Sequence, residues 1–310
     1  MAYTAIRDTI YISDKEAQYD KEAKEIMGNK NILAWLLVNV VEEFYGMEPK
    51  DVVAYIEGKP YVGIVPVNPG MTNAAEGEAG EKIVGLNTEN FEKNEGVVCF
   101  DILFFARTRD GKSKIIIDVE IQKDEPTAYH ILNRAVFYVS RQISSQKERE
   151  FVKSQYNNIR QVYSVWICLN QHKDTLQHIH FTKKELLGEK NWKGKMEIPN
   201  IIMLGVTQKL AKPKETNRLH YLLRTLFSNE LDTDKKIDIL QNEYHIQMEE
   251  NMRKGFDNMC NLSQGIREKG EDCGMKLFQK LMEMGRMEEC HRAMNDVSYR
   301  KKLMKEFNIQ

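Results

Sequence analysis

"FDILFFARTRDGKSKIIIDVEIQ" (residues 100–122) consists of two apolar runs joined by a charged turn, and it carries Asp101, Asp118 and Glu120 inside those runs. Both runs are rich in β-branched and aromatic residues and read as strands. Asp110-Gly111 between them is a strong hairpin signal, because a two-residue type I′ turn needs positive φ at both central positions. With those two residues in the turn, Arg109 faces Lys112, and the same register sets Asp101 directly opposite Glu120. Opposed residues point to one face, with Cα atoms about 4.5–5.5 Å apart. Alternation adds Asp118 and Gln122 to that face and sends Ile115, Ile117, Val119 and Ile121 to the other.

Like charges set opposite each other destabilise a sheet and raise each other's pKa unless a cation lies between them. A divalent ion is the economical compensator, and hard carboxylate oxygens select Mg²⁺ or Mn²⁺. The alternatives are that the acids line the solvent face of a two-stranded ribbon, or that the register slips by one.

Outward from the hairpin, "NKNILAWLLVNVVEEFYGM" (29–47) repeats apolar residues at helical spacing. Residues 48–82 are broken by proline and glycine and read as an irregular connection, with a short strand at 82–86. After the hairpin, "DEPTAYHILNRAVFYVSRQISSQ" reads as a helix opening at Pro126, with Ile131, Leu132, Ala135, Val136, Val139 and Ile143 as its buried stripe. "QVYSVWICLN" (161–170) reads as a buried strand, and strand, helix, strand implies a crossover to a parallel neighbour. Beyond residue 200 the chain reads as helices over 214–231 and 234–248. A Met-rich tail follows whose soft apolar face suits docking or a homo-oligomer through the C-terminal helices.

The 310 residues carry 42% hydrophobic and 29% charged side chains, an ordinary globular balance. No apolar run reaches the roughly 20 residues that span a bilayer, and the N-terminus lacks a secretory h-region, so no membrane partner and a cytoplasmic location are expected. The five cysteines form no CxxC pair, so neither a disulfide framework nor a zinc knuckle is signalled. The net charge of −1 argues against indiscriminate coating of nucleic acid, but its distribution is uneven. Residues 1–96 hold 9 Lys/Arg against 17 Asp/Glu, whereas residues 97–170 hold 11 against 8. No phosphate-loop or nucleophile-elbow motif is present.

Asp101, then Glu120-Ile121-Gln122 on the next strand, then a helix and a parallel strand, resembles the PD-(D/E)XK nuclease superfamily. The ordered set "EGVVCFDILFFA", "IIIDVEIQ", "YHILNRAVFYVSRQISSQ", "QVYSVWICLN" and "MCNLSQGI" is similar to the PD-(D/E)XK family transposases, related to recombination-promoting nucleases of mobile elements. The resemblance implies an α/β fold with a restriction-endonuclease-like αβββαβ core, a mixed sheet flanked by helices, over residues 1–210, and a helical C-terminal region over 211–310. It also implies Mg²⁺-dependent hydrolysis of DNA, with Asp101 and Glu120 as metal ligands. Gln122 stands where the superfamily often has lysine; it can orient water or a phosphate oxygen but supplies no charge. Lys123 is expected on the opposite side of the strand and Lys114 about 20 Å away along it, so neither substitutes.

The superfamily often adds an acid from its first helix: Glu43, on the border of the apolar stripe, is that candidate or an ordinary helix-flank glutamate, and Asp118, two residues before Glu120 on the strand, is the alternative. Arg134, Tyr138 and Arg141 fall on one flank of the helix after the hairpin and are the expected DNA phosphate contacts. His172, His178 and His180 lack any carboxylate or cysteine at a recognised ligand spacing and read as a polar strand end. The rival to catalysis is a catalytically impaired nuclease-like fold that binds nucleic acid or protein.

Overall fold

The computed structural model describes residues 17–62, 74–76, 82–84, 89–92, 96–209, 217–307 and 309. By its contacts the chain divides into two units, one formed by Lys24–Ser228 with Asp238–Gln247, the other by Met1–Ala23, Asn229–Ile237 and Met248–Gln310. Among the described residues no helix is long and apolar enough to cross a membrane.

The first unit is α/β. Its helix α1 (17–27) ends within it, and α2 (Lys30–Val40) follows, capped by the Asn29 side chain, which accepts from Asn31 N at 2.9 Å. The sequence predicts this helix to continue to residue 47. It stops instead at Val40, and the chain passes through an extended Val41 into a 3₁₀ turn over Glu42–Phe44. A short helix α3 (Pro49–Val52) leads to β1 (Tyr61–Val62). Two small hairpins follow, β2 (Ala74–Glu76) with β3 (Lys82–Val84), and β4 (Glu89–Glu92) with β5 (Gly96–Cys99). The strand expected at 82–86 is β3.

The central sheet contains β1, β6 (Ile102–Arg107), β7 (Lys114–Gln122), β8 (Gln161–Cys168), β9 (Thr175–His180) and β10 (Pro199–Gly205), in the order β1-β6-β7-β8-β10-β9. It is mixed: β7, β8 and β10 are parallel neighbours, while β1, β6 and β9 are antiparallel to theirs. The crossover between β7 and β8 contains α4 (Ile131–Ser144), as the strand-helix-strand pattern requires. Beyond residue 200 the expectation of helices fails first at β10. Apart from Asn200, its run "PNIIMLG" is apolar, because the strand lies inside the sheet, between β8 and β9.

The β6–β7 pairing runs from Ile102↔Val119 to Arg107↔Lys114, the predicted register. The turn that sets it differs from the prediction. Thr108 N donates to Ser113 O at 3.0 Å and Gly111 N to Thr108 O at 2.8 Å, which closes a four-residue loop over 109–112. Only Gly111 in that loop is left-handed, at φ 68°. Asp110 instead ties the loop from inside, its Oδ1 accepting from Thr108 Oγ1 at 2.7 Å and Lys112 N at 3.0 Å. A four-residue loop centred on the same two residues takes Arg109 and Lys112 out of the ladder and leaves the register of every remaining cross-strand pair unchanged.

Both faces of the sheet are buried. On one, Leu103, Ile116, Val162, Trp166 and Ile201 pack with Ile131, Ala135, Tyr138 and Val139 of α4. On the other, Ile102, Phe104, Ile117, Val119, Tyr163, Val165 and Ile167 are at most 1% exposed. The stripe on α4 is rotated from its predicted position: Leu132 and Val136 are exposed, whereas Tyr138, Arg141 and Gln142 are buried. The helix also starts at Ile131, after an extended His130, and not at Pro126.

The remainder of this unit includes α5 (Arg218–Phe227) and the latter part of α6 (Thr233–Tyr244). The second unit is helical, with α7 (Glu250–Glu283), α8 (Met287–Asn295) and α9 (Val297–Glu306) closing a core of Leu277, Leu281, Cys290, Ala293 and Leu303. The four cysteines whose side chains are described are free thiols.

Candidate active site

Asp101 lies one residue beyond the last β6–β7 ladder pair, opposite Glu120. The two acids lock that end of the hairpin reciprocally. Asp101 N donates to Glu120 Oε1 at 3.0 Å, and Ile121 N donates to Asp101 Oδ2 at 2.9 Å. Each carboxylate replaces a backbone carbonyl that the ladder no longer supplies. The remaining oxygens meet cations from two helices. Asp101 Oδ1 is 2.7 Å from Lys24 Nζ of α1, and Glu120 Oε2 is 3.7 Å from an Arg134 guanidinium nitrogen of α4.

Parallel pairing sets Ser164 beside Asp118 and Trp166 beside Glu120, on the same face. A buried relay results: Trp166 Nε1 donates to Ser164 Oγ at 2.9 Å, and Ser164 Oγ donates to Asp118 Oδ2 at 2.9 Å. Asp118 Oδ1 is buried with no hydrogen-bond partner. Arg134 spreads over the aromatic floor, 4.8 Å from the Tyr138 ring centroid and 5.3 Å from that of Trp166, with hydroxyls of Tyr138 and Tyr129 accepting from it at 2.7 and 3.1 Å.

Glu120 is 3% exposed and Asp118 is fully buried, so the ribbon with a solvent-facing acidic side is excluded. Burial is also the main electrostatic influence. It pushes Asp118 up to about 8, against the Ser164 hydrogen bond and with the help of the Asp101 charge. Burial likewise drives Glu120 well above the usual carboxylate range, reinforced by Asp101 and Asp118. Both buried acids therefore hold protons more readily than an ordinary carboxyl does.

Of the residues singled out in the sequence, Asp101, Glu120, Asp118, Arg134 and Tyr138 come together here. Gln122 ends β7 with its side-chain amide donating to Asp124 O at 2.8 Å. Two expectations are corrected. Glu43 is at the other end of the strand pair, where its Oε1 accepts from Arg109 N in the hairpin loop at 2.7 Å, because α2 ends early and the chain turns toward that loop. Arg141 is 4% exposed beside Phe137, out of reach of a bulky phosphate, because α4 is rotated from its predicted orientation. Lys114 pairs with Glu57 at 2.7 Å, far from the acids. His178 is held by Asn200 Oδ1 at 2.8 Å, as a polar strand end would be.

Lys24 escaped the sequence reading altogether. Ala23, Ile26 and Met27 do carry helical spacing, but nothing local identifies a partner just before β6.

Among the described residues no three or more His, Cys, Asp or Glu side chains form a metal-binding group. The donor set fits a hard divalent cation in a different way. Two carboxylates are the number that Mg²⁺ commonly takes from a protein, with waters and phosphate completing the shell. The partnerless Asp118 Oδ1 adds an unsatisfied acceptor to the same face. Comparison of the chain with protein-family models, with curated proteins and with solved structures returned no match.

Proposed function

We propose that this chain is a Mg²⁺- or Mn²⁺-dependent endodeoxyribonuclease with a restriction-endonuclease-like core, similar to the PD-(D/E)XK family transposases of mobile elements. The observation that carries this reading is the pair Asp101 and Glu120, opposed by register and interlocked through backbone N–H groups, with Glu120 buried beside Asp118, whose Oδ1 has no hydrogen-bond partner among the described residues. The element order α2, β1, β6, β7, α4, β8 supports the αβββαβ core, with β2–β5 inserted between its first two strands.

Asp101 and Glu120 would hold the cation, which when bound lowers the pKa of a water and polarises the scissile phosphate. The interlock keeps both carboxylates in place at little reorganisation, since Oδ2 and Oε1 are anchored to the backbone while Oδ1 faces Lys24 and Oε2 faces Arg134. Arg134, stacked over Trp166 and Tyr138, offers its guanidinium to a phosphate oxygen at the rim of the acids. The Gln122 amide can orient the attacking water. In hydrolysis that water's oxygen bonds to phosphorus as the P–O bond to the leaving sugar breaks; the water's proton passes to solvent, and the leaving oxygen takes one up. Binding dominated by phosphate contacts should weaken steeply with salt.

A second reading has a specific observation in its favour. Lys24 and Arg134 already compensate the two acids, as an impaired nuclease-like module that only binds nucleic acid or protein would require. Plasmid nicking with Mg²⁺ or Mn²⁺ separates the two. Wild type should nick, and Asp101→Ala and Glu120→Ala should each lose at least about 100-fold in rate. DNA binding by the wild type without cleavage would establish the second reading instead.

A further inference from the structure

We propose that Lys24 of α1 is the cation of this site, supplying from a helix the positive charge that Gln122 does not supply from the strand. The inference rests on the nuclease reading above. Its basis is the contact between Lys24 Nζ and Asp101 Oδ1 at 2.7 Å, on the oxygen other than the one that accepts from Ile121 N.

Neither Lys114, far from the acids, nor Arg134, which would contact a phosphate only from a fixed position, has the same mobility as Lys24. Lys114 is tied to Glu57, and Arg134 is clamped by two tyrosine hydroxyls and two aromatic rings. Lys24 has a flexible four-carbon stem ending in a compact point charge, so it can leave one oxygen for another a few ångströms away. The side chains of Lys24 and Asp101 are 19% and 18% exposed, against 3% for Glu120. The ion pair therefore sits at the mouth of the site, where a phosphodiester would arrive, and the more deeply buried Glu120 lies behind it.

Lys24 accordingly has two tasks. Without a metal ion its ammonium balances Asp101; were Asp101 to hold a cation, the ammonium would turn toward the phosphate and stabilise charge growing there. It forms no covalent bond. The two tasks predict effects of opposite sign. Lys24 competes with the metal for Asp101, so its removal should tighten metal binding while slowing cleavage.

The experiment compares wild type, Lys24→Met, Gln122→Lys and the double variant, each checked for an intact thermal melt. Mn²⁺ alone is titrated calorimetrically, and plasmid nicking is followed under single-turnover conditions. K24M should bind Mn²⁺ several-fold more tightly and nick about 100-fold more slowly. The double variant, with a lysine returned to the strand, should recover at least about tenfold of that loss, a rescue that a purely structural role for Lys24 would not allow. The proposal is overturned if K24M nicks at the wild-type rate, if metal affinity and nicking fall together, or if Gln122→Lys restores nothing. Wild-type protein that takes up Mn²⁺ but does not nick overturns the nuclease reading itself, while the change in Mn²⁺ affinity in K24M still decides whether Lys24 and the metal share Asp101.

Discussion

Two glutamates in this protein each face an arginine, and they behave oppositely. Glu120 is 3% exposed, and its nearest arginine nitrogen is 3.7 Å away. Glu289 of α8 is 32% exposed and is gripped by Arg286 through two hydrogen bonds of 2.6 Å, with the Tyr299 hydroxyl donating a third at 2.7 Å. Burial drives Glu120 up, whereas the Arg286 and Tyr299 hydrogen bonds hold Glu289 down at about 2. Desolvation prevails over the ionised form at the first site and is outweighed at the second, where the hydrogen bonds from Arg286 and Tyr299 dominate. The comparison separates a site arranged to need positive charge from an ion pair that holds a helical unit together.

The largest effect should come from the companion of Glu120. Asp118 is held near 8 by burial, so in the folded state it keeps a proton that the unfolded chain releases near 4. Its contribution to stability is fully present below the unfolded pKa and is lost as the pH rises toward 8. With a chelator present, Asp118→Asn should abolish that decline, so that wild type loses roughly 1 kcal/mol per pH unit relative to the variant between pH 4 and 8. Urea unfolding at several pH values measures this; parallel pH profiles would show that Asp118 is ionised in the fold and would break the contrast with Glu289.

A middle-sized effect is expected at Arg134, despite its longer ion-pair distance. Arg134→Ala removes the Glu120 partner, two tyrosine hydrogen bonds and the stacking on Trp166, and should destabilise by about 2 kcal/mol. Arg134→Lys should restore little of this, because an ammonium neither spreads over the rings nor reaches both hydroxyls.

The smallest effect belongs to the better-formed pair. Arg286→Ala should lower the melting temperature of the helical unit only slightly at pH 7, since solvent screens an accessible ion pair. Even that difference should vanish as the pH falls from the ordinary glutamate range through about 2, where Glu289 takes up its proton. A drop for Arg286→Ala larger than that for Arg134→Ala would reverse the ranking and make hydrogen-bond geometry, not burial, the deciding quantity.

Periodicity and turn chemistry were enough to read α2, the hairpin, its register, α4 and the parallel β8, because each depends on neighbours close in the chain. The register survived a wrong turn type only because loops of two and four residues share a midpoint at Asp110-Gly111. Alternation along β7 likewise placed Asp118 and Glu120 on one face with Asp101. β10 was missed because a strand buried on both faces shows no alternation. The orientation of α4 was misread because Leu132 and Val136 count as core by composition, while the sheet accepted Tyr138 instead.

The amino-acid order alone specified that three carboxylates share a face, since side-chain alternation and hairpin register are local properties of the backbone. Whether that face met water or protein, and which cations answered it, was settled only when α1 and α4 came against the sheet. Lys24 and Asp101 are remote in the chain, and their meeting depends on packing across elements that no short-range periodicity encodes. Electrostatic compensation acts through space, so it becomes readable only once the distances exist.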